Sequence, residues 1–304
     1  MNTPMAFRRR VAALGVTTLL ALGALATTGF AEVIADPARL ARFEASNPQS
    51  NQTIEYKVVD SALDSLVISS GSTTEVRYDA IKGDGERILT QLVSGFATVD
   101  PTTLNADEQL AYWLNLRALL VLRSAAQAFP GTKPERLLEP GSTFFTTKGA
   151  RVAGVDLSIA DIDAIVLKRA AANPNVVYGL VLPVRESPAF PRKAYRGATV
   201  NASLEAAARA FINRSGAVKA DADTAKVPQF LISHRDRLGG DDAALLAHIR
   251  GLAAPKLGER LIIAKRLSAD PRLNLNVFAD RSFADRAPGG GFSGGGGGGS
   301  AAGS

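Results

Sequence analysis

The sequence has no cysteine and only two histidines, His234 and His248. The missing cysteines exclude disulfide bonds, thiolate metal sites and a thiol nucleophile. Two imidazoles cannot form a multi-histidine metal site within one chain, so we expect no bound metal. We also expect no cofactor. The one long glycine run, at residues 294–299, is followed by no predicted helix and therefore cannot cradle a nucleotide phosphate.

The sequence also lacks a basic run interleaved with aromatic residues. The chain carries 35 Lys and Arg residues and 29 Asp and Glu residues. Three of the arginines lie in an N-terminal segment that we expect to be removed, which leaves 32 basic and 29 acidic side chains and a net charge of +3. Dispersed charges of both signs are not typical of a nucleic-acid-binding protein, so we expect no nucleic-acid partner.

The N-terminus has the pattern of an export signal. Three arginines at positions 8–10 precede an apolar or small-residue run at 11–30, and Gly29-Phe30-Ala31 offers small residues at the −3 and −1 positions of a cleavage site. The run is also about as long as the roughly 20 residues of a membrane span. Its Gly, Ala and Thr content favours cleavage over anchoring. We expect an exported protein, periplasmic or extracellular, with no membrane span after cleavage.

The remaining chain shows no internal repeat and no internal linker rich in Pro, Gly and Ser, which favours one domain. The end of the chain is almost entirely Gly, Ser and Ala, and such a segment has too few side chains to bury. We therefore divide the sequence into a signal peptide at 1–31, an N-terminal lead segment at 32–52, a single globular domain at 53–286 and a disordered Gly/Ser-rich tail at 287–304.

The most informative segment is an almost wholly apolar stretch at residues 107–123, with Asn115 in its middle. A helix that is apolar nearly all round belongs in a core. A buried amide without partners costs about 1–3 kcal/mol, so Asn115 requires hydrogen bonds. We expect it to bind buried backbone next to a predicted strand at 176–182. The alternative is a contact with a substrate or an oxyanion.

Helices dominate the predicted secondary structure. Asn105 and Glu108 form a capping-box pattern at the start of the central helix. Other helices are predicted at 85–97, 158–167, 204–212 and 243–252. The predicted strands are a hairpin at 151–155, a buried strand at 176–182 and late strands at 261–263 and 273–277. The elements do not alternate regularly, which favours an α+β fold: a predominantly helical single domain with a small sheet and a buried apolar central helix.

Several segments, in order, resemble stretches of one family. The central helix segment Ala111-Tyr-Trp-Leu-Asn-Leu-Arg-Ala-Leu119 resembles A-F-W-I-N-L-Y-N-A-L, and Asn173-Pro-Asn-Val-Val-Tyr-Gly-Leu180 resembles D-P-R-I-H-F-A-L. Arg185-Glu-Ser-Pro188 is similar to R-S-C-P, and Asp270-Pro-Arg-Leu-Asn274 to D-W-S-L-N. These stretches belong to the bacterial and plant family called domain of unknown function 547. The resemblance covers roughly residues 75–276.

The departures from this family concern its most reactive groups. Read chemically, the family pattern offers thiols, an imidazole and a carboxylate, which is the arrangement of a nucleophilic hydrolase or transferase. In this chain the two thiol positions correspond to Leu182 and Ser187, the imidazole position to Arg123 and the acid position to Asp163. The resemblance therefore implies that the scaffold is kept while the thiol-type site is lost.

Ser187 is the candidate nucleophile that remains, and a serine needs a base within hydrogen-bond reach. Arg123 cannot be that base, because a guanidinium stays protonated. His234 is the one imidazole near a family motif, but nothing in the spacing places it beside Ser187. Asp163 has Arg123, Arg185 and Lys168 as possible partners. The position of Asp163 early in a helix favours a structural role, because the helix dipole alone stabilises a carboxylate there. If Asp163 pairs with a basic group instead, we expect an Arg123–Asp163 ion pair that is a structural substitute for a catalytic pair.

The sequence thus favours an exported binding or envelope-associated module for a peptide, a glycan or an envelope protein. Asn115, Arg123 and Arg185 are its candidate binding residues. The alternative is a hydrolase or transferase that uses Ser187 with Asp163, with or without His234. No catalytic residue is singled out beyond these candidates.

Overall fold

The computed structural model describes residues 36–139, 142–270 and 278–280. The predicted signal peptide at 1–31, the tail at 287–304 and the predicted strand at 273–277 lie outside these residues. Within the described part, helices outnumber strands, which confirms the α+β prediction. None of the helices described there is both long enough and apolar enough to cross a membrane.

The described residues form helices of very different lengths. The α-helices are α1 (Pro37–Leu40), α2 (Lys57–Leu66), α3 (Tyr78–Ala80), α4 (Glu86–Phe96), α5 (Ala106–Ala128), α6 (Pro134–Leu137), α7 (Thr143–Thr146), α8 (Ile159–Leu167), α9 (Val200–Asn213), α10 (Gln229–Ser233), α11 (Asp242–Leu252) and α12 (Pro255–Leu261). Short 3-10 turns lie between several of them, and α5 is the longest.

The strands form two hairpins and one three-stranded sheet rather than a single small sheet. They are β1 (Val67–Ser70), β2 (Thr73–Val76), β3 (Ala150–Val152), β4 (Val155–Leu157), β5 (Lys219–Asp221), β6 (Thr224–Val227) and β7 (Arg266–Ala269). β1 pairs with β2 and β3 with β4, both antiparallel. In the third sheet, β6 lies between antiparallel β5 and parallel β7.

The core is built around α5, as its apolar sequence predicts. Every residue from 108 to 122 of this helix is buried. Trp113 and Tyr112 contact each other edge to face, with ring centroids 4.9 Å apart, and Phe43 packs on Trp113 at 5.1 Å. Because α5 has no solvent face along this stretch, neighbouring elements must cover it on all sides.

Only one of the two hydrogen bonds of the predicted capping box forms at the start of α5. The Asn105 side chain accepts a hydrogen bond from the Glu108 amide at 3.0 Å. The Glu108 carboxylate does not return to the Asn105 amide. It accepts instead from the amides of Ile54 at 3.0 Å and Gly197 at 2.9 Å. Glu108 therefore ties two distant segments to the helix end.

The helix predicted at 158–167 and the hairpin predicted at 151–155 are both confirmed. Ser158 and Asp161 form a reciprocal capping box at the start of α8. The hairpin of β3 and β4 turns at Ala153 and Gly154, whose φ angles are 46° and 83°. Both turn residues lie in the left-handed region, which matches the primed turns that suit a two-residue hairpin.

The predicted strand at 176–182 is wrong. Residues Pro174–Gly179 form a 3-10 helix, opened by the Asn173 side chain, which accepts from the Asn175 amide at 3.0 Å. A Cβ added at Gly179 would lie 2.7 Å from Leu114 Cδ2, so this turn packs directly on α5. A short apolar run that is buried on all sides fits a strand or a helix equally well, which explains the error.

The predicted strand at 261–263 is also wrong. Helix α12 begins at Pro255 and ends at Leu261, and Ile262 and Ile263 follow it in an exposed turn. The late strand is β7, which pairs in parallel with β6. Three consecutive β-branched or γ-branched apolar residues are typical of a strand, but here only Leu261 is buried.

The segment 278–280 packs back against elements from the first half of the chain. Phe278 contacts Phe129 at 5.3 Å and Tyr78 at 5.5 Å between ring centroids. Its backbone forms an isolated antiparallel bridge with Val184, and Asp280 forms a parallel one with Val76. The end of the described chain is therefore part of the core around α5.

Candidate functional site

Arg117 is a charged residue in the middle of α5 with only 1% of its side chain exposed. Its Nε and Nη2 donate to the two carboxylate oxygens of Asp163 on α8, and its Nη1 donates to the Val181 carbonyl at 2.6 Å. A buried guanidinium requires a carboxylate and further acceptors, because it cannot lose its proton. One side chain therefore fixes α5, α8 and the segment at 180–182 relative to one another.

The expected Arg123–Asp163 pair is wrong. Arg123 Nη2 donates to the Gly149 carbonyl at 2.7 Å, and Asp163 is bound by Arg117. Six residues along an α-helix correspond to ~1.7 turns, so Arg123 lies on a different face of α5 from Arg117. Lys168, another expected partner, contacts Glu44 instead.

His234 lies close to the Arg117–Asp163 pair. It follows α10, and its Nδ1 is 2.8 Å from the Phe230 carbonyl. Burial lowers the pKa of the His234 imidazole, while that carbonyl and the Asp163 carboxylate raise it and Arg117 lowers it further. Asp163 therefore influences the His234 imidazole electrostatically, while the hydrogen bonds of its carboxylate go to Arg117.

Sequence reasoning missed Arg117, although its signal was present. It lies two residues after Asn115 in a helix that was expected to be buried nearly all round. A lone guanidinium in such a helix predicts an acidic partner on a neighbouring element. The sequence offered several acids and gave no means of choosing Asp163 for this position.

The side chain of Asn115 is hydrogen-bonded to backbone atoms. Its Oδ1 accepts from the Tyr195 amide and its Nδ2 donates to the Tyr195 carbonyl, both at 2.8 Å. The amide is buried, with 1% exposed. Asn115 therefore binds buried backbone, and the backbone that it binds is that of Tyr195.

Ser187 closes the loop that carries it. Its Oγ accepts from the Leu182 amide at 2.7 Å and donates to the Pro188 carbonyl at 3.0 Å. Only 2% of the residue is exposed. Both hydrogen bonds of the hydroxyl go to backbone atoms, and neither Asp163 nor His234 is among its partners. The hydroxyl is used to fix the turn at 182–187.

A cleft of about 230 Å³ lies between the loop at 185–187 and the segment at 214–219. Its lining includes three cations, Arg185, Arg214 and Lys219, and one carboxyl group, Glu186. Arg185 is a candidate binding residue from the sequence. Arg214 follows α9 and Lys219 begins β5, and no sequence motif marks either of them.

Two of the cations have a carboxylate partner. Arg185 Nη2 lies 2.8 Å from Glu75 Oε1, and Lys219 Nζ lies 3.7 Å from Asp270 Oδ2. The side chains of Arg185 and Lys219 are nevertheless 52% and 43% exposed. Each therefore keeps donors that can reach a ligand in the cleft.

Arg214 is hydrogen-bonded to the loop at 185–187. Its Nη1 donates to the carbonyls of Arg185 at 2.7 Å and Ser187 at 3.2 Å. Its guanidinium carbon lies 5.0 Å from the Phe211 ring centroid, a cation–π distance. These contacts orient the guanidinium without a direct ion pair.

Glu186 is the group in the cleft whose chemistry is most perturbed. Burial raises the pKa of its carboxyl to about 7, although Arg214 and Arg185 lower it. Its Oε2 is buried and hydrogen-bonds to none of the described residues. When protonated, this carboxyl can donate a hydrogen bond, and when ionised it only accepts. A buried polar atom normally has a hydrogen-bond partner, and a water molecule or a ligand in the cleft could supply one.

A metal centre has no support in the described residues. Among them there is no group of three or more His, Asp or Glu side chains arranged to hold an ion. The charged groups that line the cleft are two guanidinium groups, one ammonium group and one carboxyl group.

Replacing Asp163 with alanine should destabilise the protein strongly. It would leave Arg117 buried and unpaired, and we expect the free energy of unfolding to fall by about 3 kcal/mol. Urea denaturation measures this change. The matched control is Glu205→Ala, which breaks an exposed pair with Arg209 on α9 and should cost less than about 0.5 kcal/mol. Equal effects of the two substitutions would show that the buried pair is not important.

Ser187 should be unreactive in the native protein. Its hydroxyl is buried and bonded to backbone on both sides, and no basic side chain among the described residues hydrogen-bonds to it, so we expect no labelling by a fluorophosphonate probe. Mass spectrometry of the native protein after incubation with the probe tests this. A known serine hydrolase treated in the same way is the positive control. A probe adduct on Ser187 would contradict the structural role.

Glu186→Gln should alter how stability depends on pH. The native carboxyl titrates at about 7, whereas an unperturbed one titrates at 4.5. Because this pKa is higher in the native state than in the unfolded state, the stabilisation of the native state by Glu186 is fully present below pH 4.5. It is lost as the pH rises through about 7. The wild type should therefore lose stability relative to Glu186→Gln between about pH 5 and about pH 8 in urea denaturation. A constant difference between the two proteins across this range would refute the assignment.

Comparison with known proteins matches one segment of the chain. Residues 101–212 match the model of a family described as "Protein of unknown function, DUF547". This segment contains Arg117, Asp163 and the loop at 185–187, whereas His234 lies beyond it. No curated protein and no solved structure matches the chain. Over residues 101–212 the chain is therefore similar to the DUF547 family, whose description assigns no function.

Proposed function

We propose that this protein is an exported binding module that recognises a carboxylate-bearing peptide or glycan in the cleft at residues 185–187 and 214–219. The observation that carries this proposal is the composition of the cleft. Three cationic side chains line it together with a half-buried carboxyl group whose Oε2 has no partner among the described residues.

The charges in the cleft favour an anionic ligand. Within the described part of the chain, Arg214 donates to two carbonyls rather than to a carboxylate, and the neighbouring Glu186 carboxyl is about half neutral near pH 7. A ligand carboxylate can therefore accept from Arg214 and from the exposed donors of Arg185 and Lys219. A protonated Glu186 would donate to the same ligand, which also gives its buried oxygen a partner.

The loop that forms one wall of this cleft is the one that resembles the family's R-S-C-P stretch. The Ser187 hydroxyl fixes the turn, and Arg214 binds the Arg185 and Ser187 carbonyls. A loop held in this way presents Arg185 and Glu186 in one conformation. Such preorganisation lowers the entropy that binding costs.

The alternative, a hydrolase or transferase that uses Ser187, is less well supported. Its hydroxyl would have to leave the Leu182 amide and the Pro188 carbonyl before it could attack a substrate. Asp163 is engaged by both arms of the Arg117 guanidinium and is therefore poorly placed to orient a base for it. We favour binding over catalysis on this geometry.

Export is proposed from the sequence of the N-terminus. An arginine cluster at 8–10, an apolar run at 11–30 and small residues before position 32 are the parts of a secretory signal. Peptides and glycans that carry free carboxylates are available to a module in a periplasmic or extracellular location. N-terminal sequencing of the protein recovered from its host would test the cleavage site after Ala31.

The cleft should bind acetyl-trialanine with a free C-terminal carboxylate and should bind a glucuronate disaccharide by the same groups. Isothermal titration calorimetry at low salt is the measurement. We expect Lys219→Ala and Arg185→Ala each to weaken binding by roughly 3- to 10-fold, because each removes one charge-assisted contact. The C-terminal amide of the same peptide should bind more weakly than the free acid.

Lys168→Ala provides the matched control for this measurement. Lys168 is also a partly exposed lysine in an ion pair, with Glu44, but it does not line the cleft. Its removal should leave the affinity unchanged. Equal binding of the acid and the amide, or equal losses in all three variants, would overturn the proposed function.

A further inference from the structure

The turn after α12 exposes two adjacent isoleucines. Among the described residues, four large apolar side chains are exposed, and only Ile262 and Ile263 are neighbours in sequence, with 70% and 61% of their surface accessible. Single exposed apolar residues are common on protein surfaces and need no explanation. Two together at the tip of a turn are a local apolar projection.

This turn is held in place by the backbone and by one arginine. Leu261 and Ala264, on either side of the isoleucines, are buried. The Arg250 guanidinium donates to the carbonyls of Leu261, Ile262 and Ala264, at distances from 2.5 to 3.3 Å. The anchors on both sides leave the two isoleucine side chains pointing outward. Their exposure is therefore built into the fold.

Exposed cations flank the isoleucines on both sides in sequence. Lys256 and Arg260 precede them on α12, and Lys265 and Arg266 follow them at the start of β7. Two acids lie close to these cations. Glu259 is exposed on α12, and Asp223 is paired with Arg266 at 2.6 Å. The cations outnumber the acids, so the apolar tip has a positively charged surround.

We propose that this turn docks the protein on the surface of an anionic phospholipid bilayer. The isoleucine side chains enter the boundary between headgroups and acyl chains, and the flanking cations contact lipid phosphates. Apolar residues combined with basic ones are the two elements that interfacial binding requires. Each cation near an anionic membrane adds to the attraction.

A bilayer fits this surface better than a protein does. A stable protein–protein interface needs roughly 800 Å² on each partner, which two isoleucines cannot supply. A second copy of the chain placed on the same surface would bring like charges together around the apolar tip. A bilayer offers a continuous negative surface and accepts an apolar insertion of any size. The proposal is independent of the cleft and goes beyond its ligand.

The absence of cysteine makes a local test possible, because an introduced thiol is the only one in the chain. The full chain with Ile263→Cys is labelled with a polarity-sensitive fluorophore and mixed with vesicles of phosphatidylcholine alone or with phosphatidylglycerol. We expect a blue shift of the emission with phosphatidylglycerol vesicles only. The same label at Val58→Cys, another exposed apolar position, should show no shift.

Two further substitutions separate the apolar and the ionic contributions. Ile262→Ser in the labelled protein should reduce the vesicle partition coefficient by roughly 10-fold, because an exposed isoleucine loses its transfer into the bilayer. Lys265→Glu should reduce it by roughly 5-fold or more and should weaken the effect of salt. Both positions are exposed, and thermal unfolding should be unchanged in both variants.

Three results would overturn the proposal. The first is an unshifted label at position 263 in protein that has bound the vesicles. The second is equal partition of the wild type and Ile262→Ser. The third is a blue shift that grows with protein concentration in the absence of lipid, which would assign the turn to contact between copies of the chain. Loss of the vesicle response with carboxylate binding in the cleft intact would leave the proposed function standing.

Discussion

The buried guanidinium of Arg117 is the constraint on which the central architecture depends. A permanent charge in the middle of the core helix is tolerated only because Asp163 and the Val181 carbonyl meet it there. Those contacts fix α8 and the chain at 180–182 against α5. The turn at 182–187 follows directly and is closed by Ser187. Arg117 thus holds Val181, the residue directly before the turn that leads to the cleft wall.

The loop at 185–187 is held in place by a hydroxyl group and a guanidinium group. The hydroxyl of Ser187 makes two hydrogen bonds to backbone atoms, and the Arg214 guanidinium donates to two carbonyls of the same loop. These contacts, made by one hydroxyl group and one guanidinium group, fix the conformation of the loop. They leave Glu186 as the group with unusual acidity, because the loop carries it into a half-buried position beside Arg214 and without a partner for its Oε2 among the described residues.

Much of the fold follows from local sequence, and the exceptions have physical reasons. The α5 helix, the Ser158 capping box and the hairpin turn at Gly154 are encoded within a few residues each, and all three were predictable. The 3-10 helix at Pro174–Gly179 was not, because burial on every side removes the periodicity that separates helix from strand.

The candidate site was predictable only in part for a related reason. Arg185 and Ser187 lie in one recognisable loop, but Arg214 and Lys219 reach the cleft through the end of α9 and the start of β5. The partner of Asp163 depended on the face of α5, and Arg117 rather than Arg123 occupies the face that meets α8. Contacts between distant segments carry no signature in the local sequence, so neither could be assigned before the fold was known.

The aromatic cluster of Phe278, Tyr78 and Phe129 has a consequence for how this family segment exists in isolation. The matched residues 101–212 share their core with Phe43, packed on Trp113, and with Phe278, packed on Phe129. The recognisable stretch is therefore smaller than the cooperative unit that folds. Excised at its own boundaries, it would expose the aromatic surfaces of Trp113 and Phe129 that both flanks of the chain normally cover.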